Sequence, residues 1–425
     1  MSDLVDRRSY ISCSFCGKTS DEVKKIITGL SVLANICDEC IILCHEIIAK
    51  TAIKEGRIAK VLEPAEEEYN LLSPTEIKAR LDETVIGQER AKKVLSVAVY
   101  NHFKRIMSVE DTGDVEIKKS NILLIGPTGT GKTLLAQSLA KVLEVPFASV
   151  DATSLTEAGY IGEDVEVVLA RLLDAAGNSI QRAQKGIIYI DEMDKIASKV
   201  SRGGTARDVS GEGVQQALLK ILEGTVADAP PKVKGKEGTP IDTKNILFIC
   251  GGAFVELADI ISERERKQSN VKTLGFGAEV KTRDEEPSVG DVLAKVVTTD
   301  LEAFGLIPEL IGRIPIITTL TELSEDMLVD ILKTPKDAII KQYQKLFKID
   351  DIKIDFSPAS LKAIANKAIK LECGARGLRS ILETLLLEVM FKLPNLGTDK
   401  ISVKKHHVEA EDGAQLILSE ISGIN

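Results

Sequence analysis

Residues 126–133 read Gly-Pro-Thr-Gly-Thr-Gly-Lys-Thr and follow directly on the apolar run Ile122-Leu123-Leu124-Ile125. Every position of the G-x-x-x-x-G-K-[ST] pattern is filled, in the strand–loop–helix context that the pattern needs. The glycines let the backbone curl so that successive N–H groups point at one anion. A helix starting near Lys132 adds its positive dipole end. Lys132 is placed to reach the β- and γ-phosphates of a nucleotide, and Thr133 to set its hydroxyl on Mg²⁺. Gly126, Pro127, Thr128, Gly129, Thr130, Gly131, Lys132, Thr133 and Leu134 are therefore expected to hold ATP and Mg²⁺.

Further along, Ile187-Ile188-Tyr189-Ile190 reads as a buried strand ending in Asp191-Glu192. Downstream of a phosphate loop this looks like a Walker B strand. Asp191 would hold Mg²⁺ through water, and Glu192 would polarise the attacking water as general base. An acidic helix cap after a strand is the plainer reading of the same pair.

The cysteines point to a second kind of chemistry. Cys13-x2-Cys16 and Cys37-x2-Cys40 are separated by residues 17–36. Two such knuckles present four thiolates to one ion and fit a tetrahedral zinc site. A module this small lacks a sufficient apolar core, so the metal would hold it. Two disulfides are the alternative, disfavoured in a reducing compartment. Cys44 and His45 lie one helical turn on and offer substitute ligands, although Cys44 also reads as a buried small hydrophobe. Cys250 and Cys373 stand alone and read as core or incidental.

Around these residues the chain divides into 1–51, the zinc module; 52–68, a charged and weakly patterned linker; 69–320, a large nucleotide domain; and 321–425, a small lid. Ile41-Ile42-Leu43 and Ile47-Ile48 give the first module an apolar face larger than an ion site requires, which suggests self-association. Ser73-Pro74-Thr75-Glu76 starts a helix with a good cap and proline at its first position. From about 120, strands at 121–125, 146–151, 187–191, 245–250 and 314–319 alternate with helices at 131–143, 163–183 and 212–223. Such alternation predicts an α/β fold, a mostly parallel sheet between helices, with nucleotide at the carboxyl ends of the strands. The lid reads as mainly helical α+β: helices at 324–347, 358–370 and 376–392, with short strands near 352–356 and 400–403. Residues 198–211 and 228–243 resist regular structure and read as long loops.

Composition bounds the function. A length of 425 residues with 44% hydrophobic content allows two to four domains with sizeable cores, and the net charge of −9 argues against a general nucleic-acid coat. No apolar stretch is long enough to span a bilayer, and the first residues lack an apolar signal core, so no membrane partner and a cytoplasmic location are expected.

With these motifs in hand, the chain resembles the ClpX family of AAA+ protein unfoldases over nearly its whole length. The resemblance implies a homohexamer that hydrolyses ATP at its interfaces. It likens the four-cysteine module to a zinc-binding domain that dimerises and docks adaptors. It likens Val85-Ile86-Gly87-Gln88 to a segment lining the adenine pocket, putting Val85 and Ile86 on the nucleotide. Gly159-Tyr160-Ile161-Gly162 is similar to a first pore loop, where Tyr160 and Ile161, freed by flanking glycines, would grip an extended polypeptide. Residues 206–213 are similar to a second, with Arg207 facing the channel. Lys232, Lys234 and Lys236 fall where the family carries an Arg-Lys-His substrate-tag loop, a departure that bears on tag preference. Leu274-Gly275-Phe276 resembles the tripeptide that docks into the ClpP peptidase ring. Arg313 resembles the arginine finger reaching a neighbouring subunit's γ-phosphate, and Arg376 resembles sensor 2, which couples nucleotide to lid motion. Ile249-Cys250-Gly251-Gly252 offers no polar side chain where the wider AAA+ pattern has one, so no such sensor is assigned.

The reading that follows is an ATP-driven protein unfoldase. It would thread unfolded or tagged proteins through a hexamer pore into ClpP, without cutting peptides itself. A nucleic-acid motor or clamp loader on the same scaffold, its zinc module on DNA, is the rival; acidic charge and the Leu274-Gly275-Phe276 tripeptide argue against it. A non-hydrolysing adaptor is opposed by the intact Lys132 and Glu192.

Overall fold

The computed structural model describes residues 11–28, 34–44, 71–107, 117–156, 163–198, 209–231, 238–268, 288–392 and 398–422. The chain falls into two compact units, 1–70 and 71–425. In the first, Ile26–Thr28 pairs antiparallel with Asn35–Cys37, and residues 38–44 are helical. Its buried set is Cys13, Cys37 and Cys40, against which Val23, Ile26 and Ile36 are half-buried. Ile41, Ile42 and Leu43 are exposed on this unit.

The second unit is built on five core strands: β1 (Ile122–Ile125), β2 (Phe147–Asp151), β3 (Ile187–Asp191), β4 (Leu247–Gly252) and β5 (Ile316–Thr319). They form one parallel sheet in the order β5-β1-β4-β3-β2. Strands covered on both faces read as unbroken apolar runs, and β1 and β4 are buried at every residue. Successive side chains feed opposite cores. Ile122, Leu124, Ile187, Tyr189, Leu247 and Ile249 pack with the helices Pro74–Asp82, Glu89–Met107 and Lys132–Val142. Leu123, Ile125, Ile188, Ile190, Phe248 and Cys250 pack with Val167–Ala175, Val209–Glu223 and Leu257–Gln268. The cap expected at Ser73 is present, and Glu76 completes it as a capping box.

Residues from Leu323 onward build a third core around the helices Glu325–Lys333, Ile339–Ile349, Pro358–Lys370 and Gly374–Lys392. A parallel pair, Lys353–Phe356 with Lys400–Val403, completes it.

Three expectations are corrected. The single helix expected over 163–183 is two, Val167–Ala175 and Ile180–Ala183, because Gly177 and Asn178 both take left-handed backbone, φ 67 and 62. The helix expected over 324–347 is also two, Glu325–Lys333 and Ile339–Ile349; Pro335 donates no N–H to the preceding turn, and Ala338 takes an extended ψ of 143 before the second helix starts. Residues 228–243 are not simply a loop: Val226–Ala229 and Thr239–Asp242 pair antiparallel, hidden in the sequence by their prolines and short apolar content. Among the described residues no helix is long and apolar enough to cross a membrane.

Candidate nucleotide site and four-cysteine centre

The 126–131 loop leaves the carboxyl end of β1 and turns into Lys132–Val142 at Gly131, whose φ of 98 is left-handed. No side chain caps that helix start, so its first N–H groups are presented to the loop's concavity. Gly129 is also left-handed, φ 79, and a Cβ there would lie 2.6 Å from the Cys373 carbonyl oxygen. The loop therefore needs glycine both for its turn and for its contact with the lid. Thr130 Oγ1 donates to the Pro127 carbonyl at 2.8 Å and stiffens the turn.

Lys132 is buried, and its Nζ donates to the carbonyls of Gly126 at 2.6 Å and Pro127 at 3.0 Å. Burial lowers its pKa, and the charge of Arg376 lowers it further against the pull of Asp191. Thr133 Oγ1 donates to Asp191 Oδ2 at 3.0 Å, which brings a hydroxyl and a carboxylate together at the ends of two neighbouring elements. That oxygen pair suits a hard divalent cation. Asp191 Oδ1 accepts from Tyr189 Oη at 3.1 Å and from the Glu192 N–H at 3.0 Å. Glu192 is exposed and holds a left-handed backbone, φ 58, a strained conformation for glutamate. Asp194 is buried behind it and accepts the Ala253 N–H at 3.0 Å.

Val85 packs in the core, Ile86 is half-buried, and the Val85 carbonyl accepts from Lys92 Nζ at 3.2 Å. Lys92 is itself buried and paired with Asp82 and, at 2.9 Å, with Glu89. Beside this segment a cavity of about 400 Å³ is lined by Thr84, Leu134 and Ser138 from the first side and Ile331, Ala338 and Ile339 from the lid. Arg376 lies in the first turn of Gly374–Lys392, where the Ala375 N–H donates to the Gly129 carbonyl at 3.1 Å. Arg313 follows Pro308–Gly312, and its Nε and Nη2 donate to Glu223 Oε1 at 2.9 and 2.7 Å. Lys132, Thr133, Asp191, Glu192 and Arg376 thus gather around one loop, while Arg313 is held by Glu223. Tyr160, Ile161, Arg207, Lys232, Lys234, Lys236, Leu274, Gly275, Phe276 and His45 lie outside the described residues.

Two contributors escaped the sequence reading. Tyr189 shares a strand face with Asp191, two residues on, and is the one polar side chain among the strand's four fully buried residues; that was the available signal. Burial raises its pKa and the charge of Asp191 raises it further, so its Oη remains a donor. A Cβ at Gly251 would overlap that hydroxyl, which explains why this stretch of β4 carries no polar side chain toward the site. Glu223, far from Arg313 in sequence, left no signal.

In the first unit, the thiol sulfurs of Cys13, Cys16, Cys37 and Cys40 all lie within 4.8 Å of one another, and all four cysteines are free. The Cys37 N–H donates to Cys13 Sγ at 3.3 Å and the Cys40 N–H to Cys37 Sγ at 3.4 Å. Burial pushes the Cys13 thiol up, but the backbone N–H groups of Cys16, Cys37 and Phe15 outweigh it and bring the pKa down to about 6. Four convergent, free thiols at this spacing fit a tetrahedral zinc ion. A second cluster, His406, His407 and Glu420, does not fit a metal. His407 Nδ1 accepts the Lys404 N–H at 3.1 Å, so the neutral ring carries its proton on Nε2 and donates it to Glu420 at 3.2 Å.

Residues 117–317 match the AAA domain (Cdc48 subfamily). Residues 323–408 match the C-terminal, D2-small domain, of ClpB protein. Residues 11–50 match the ClpX C4-type zinc finger. Together the three matches are consistent with a ClpX-type AAA+ protein. For a ClpX-type chain the four-cysteine centre is the zinc site, and the AAA match supports an ATPase. The parallel sheet with flanking helices, the helical C-terminal domain and the zinc module are the fold class read from the sequence.

Proposed function

We propose that this chain is an ATP-dependent protein unfoldase and translocase, the ATPase subunit of a Clp protease. The observation that carries the reading is the pairing, on one chain, of a ClpX C4-type zinc finger with the cluster of Lys132, Thr133, Asp191, Glu192 and Arg376. ATP would lie along the 126–133 loop, with its base toward Val85, Ile86 and Leu134. Thr133 and Asp191 would hold Mg²⁺, which neutralises charge on the transferring phosphoryl group. Lys132 exchanges its loop carbonyls for phosphate oxygens, and Glu192 polarises the attacking water. Arg376 from the lid and Arg313 from a neighbouring subunit stabilise the developing charge, so turnover requires a homohexamer. Tyr160, Ile161 and Arg207 grip the polypeptide, Leu274-Gly275-Phe276 docks ClpP, and the zinc module receives adaptors in the cytoplasm.

ATP turnover of the full chain, measured with an unfolded protein and separately with single-stranded DNA, tests this. The unfolded protein is expected to stimulate turnover, and Glu192→Gln to lower it by about a hundredfold or more. Stimulation by DNA alone would overturn the reading in favour of a nucleic-acid motor.

A further inference from the structure

Gln88 sits between the Val85–Gly87 turn and the helix Glu89–Met107, 5% exposed and with a left-handed φ of 57. A buried glutamine in that conformation is strained, and such strain persists only where surrounding contacts demand it. The contacts here are four. Gln88 Nε2 donates to the Thr321 carbonyl at 2.8 Å and, at a longer 3.4 Å, to the Thr130 carbonyl. Its Oε1 accepts the Thr321 N–H at 3.0 Å and Thr321 Oγ1 at 3.5 Å. One amide therefore reads both backbone groups of Thr321 and one carbonyl of the phosphate loop.

Thr321 lies on the short connection between β5 and the third core, which begins at Leu323. That connection is pinned from the other side as well. The Leu320 N–H donates to the Ile125 carbonyl at 2.7 Å, and a Cβ on Gly126 would come within 2.9 Å of Leu320. The same turn touches the lid's first helix: a Cβ on Gly87 would meet Met327 Sδ at 3.1 Å. The phosphate loop, the connection and the lid thus share a single buried amide.

We propose that Gln88 is a positioning residue that ties the state of the 126–133 loop to the setting of the 320–323 connection, and so to the lid. A nucleotide that draws the Thr130 carbonyl away from the amide shifts the Gln88 side chain, and with it both backbone bonds to Thr321. The inference rests on the ATPase reading.

The test is Gln88→Asn in the full chain. Asparagine tolerates the left-handed backbone but is one methylene too short to bridge Thr130 and Thr321. Amide hydrogen exchange at 126–133 and 320–324, with and without ATP or ADP, reports loop and connection separately. Wild type is expected to respond to nucleotide in both segments. The variant is expected to respond in the loop only, with KM for ATP within about twofold and kcat reduced about tenfold. Nucleotide responses in both segments with unchanged kcat would overturn the proposal. So would loss of both responses together with a lowered melting temperature, which marks Gln88 as a purely structural residue. If wild type neither binds nor turns over ATP, the ATPase reading fails first, and the proposal falls with it.

Discussion

An arginine that serves a neighbouring subunit has to be held in place by its own. If Arg313 is the finger proposed above, Glu223 meets that need: its Oε1 takes both Nε and Nη2, while the arginine side chain stays 52% exposed. Only one edge of the guanidinium is used, so the planar group is oriented without being withdrawn from solvent. An ion pair this exposed contributes about 0–1 kcal/mol to stability, which separates orientation from folding in an experiment. Glu223→Ala is expected to leave the melting temperature and KM for ATP near wild type and to lower kcat about tenfold, since a loosened catalytic group loses its near-attack geometry. Arg313→Ala should cost more, on the order of a thousandfold. Steady-state kinetics on assembled protein decide the matter. If Glu223→Ala keeps wild-type kcat while Arg313→Ala loses it, the pair is only a resting contact.

At the scale of elements, zinc is expected to hold the first unit together. Among the described residues, its three buried cysteines have only Val23, Ile26 and Ile36 as partly buried apolar partners, far too little to offset chain entropy. A zinc-selective chelator, with Mg²⁺ kept in excess, should release the amides of Cys37 and Cys40 to rapid exchange while those of β1 stay protected. Protection of both cysteine amides after metal analysis shows zinc gone would defeat the expectation. This unit was legible because ligand spacing is local. The sheet was legible for the same reason: β1, β3 and β4 are unbroken apolar runs, and the loop and Asp191 sit at their ends. Interruptions were harder to see. Asn178 and Pro335 stop helices whose apolar spacing continues past them. Hardest of all were Gln88 and Glu223, whose partners lie far along the chain, so that only the folded sheet brings them together.

At the scale of the molecule, coupling to a peptidase needs a contact that stays put while the lid moves. The Leu274-Gly275-Phe276 tripeptide belongs to the segment joining Gln268 to Ser288, and both ends of that segment are fixed. Arg264 donates to both carboxylate oxygens of the buried Asp300, at 2.8 and 3.2 Å, and to the Lys295 carbonyl at 2.9 Å. Lys295 in turn pairs with Glu265 at 2.8 Å. These bonds lock Leu257–Gln268 to the short helices Val289–Leu293 and Thr298–Phe304, all of which contribute side chains to the sheet's core. A ring would offer one such tripeptide per subunit, so that weak individual contacts add through effective concentration. Losing an aromatic anchor costs about 2 kcal/mol at each site, and the loss is multiplied across the ring. An ATP-dependent pull-down with a ClpP ring should therefore recover the wild-type chain and fail with Phe276→Ala, ATP turnover serving as the check that the variant still assembles. Equal recovery of the two would remove the tripeptide from the interface and leave a remodeller that acts without a peptidase.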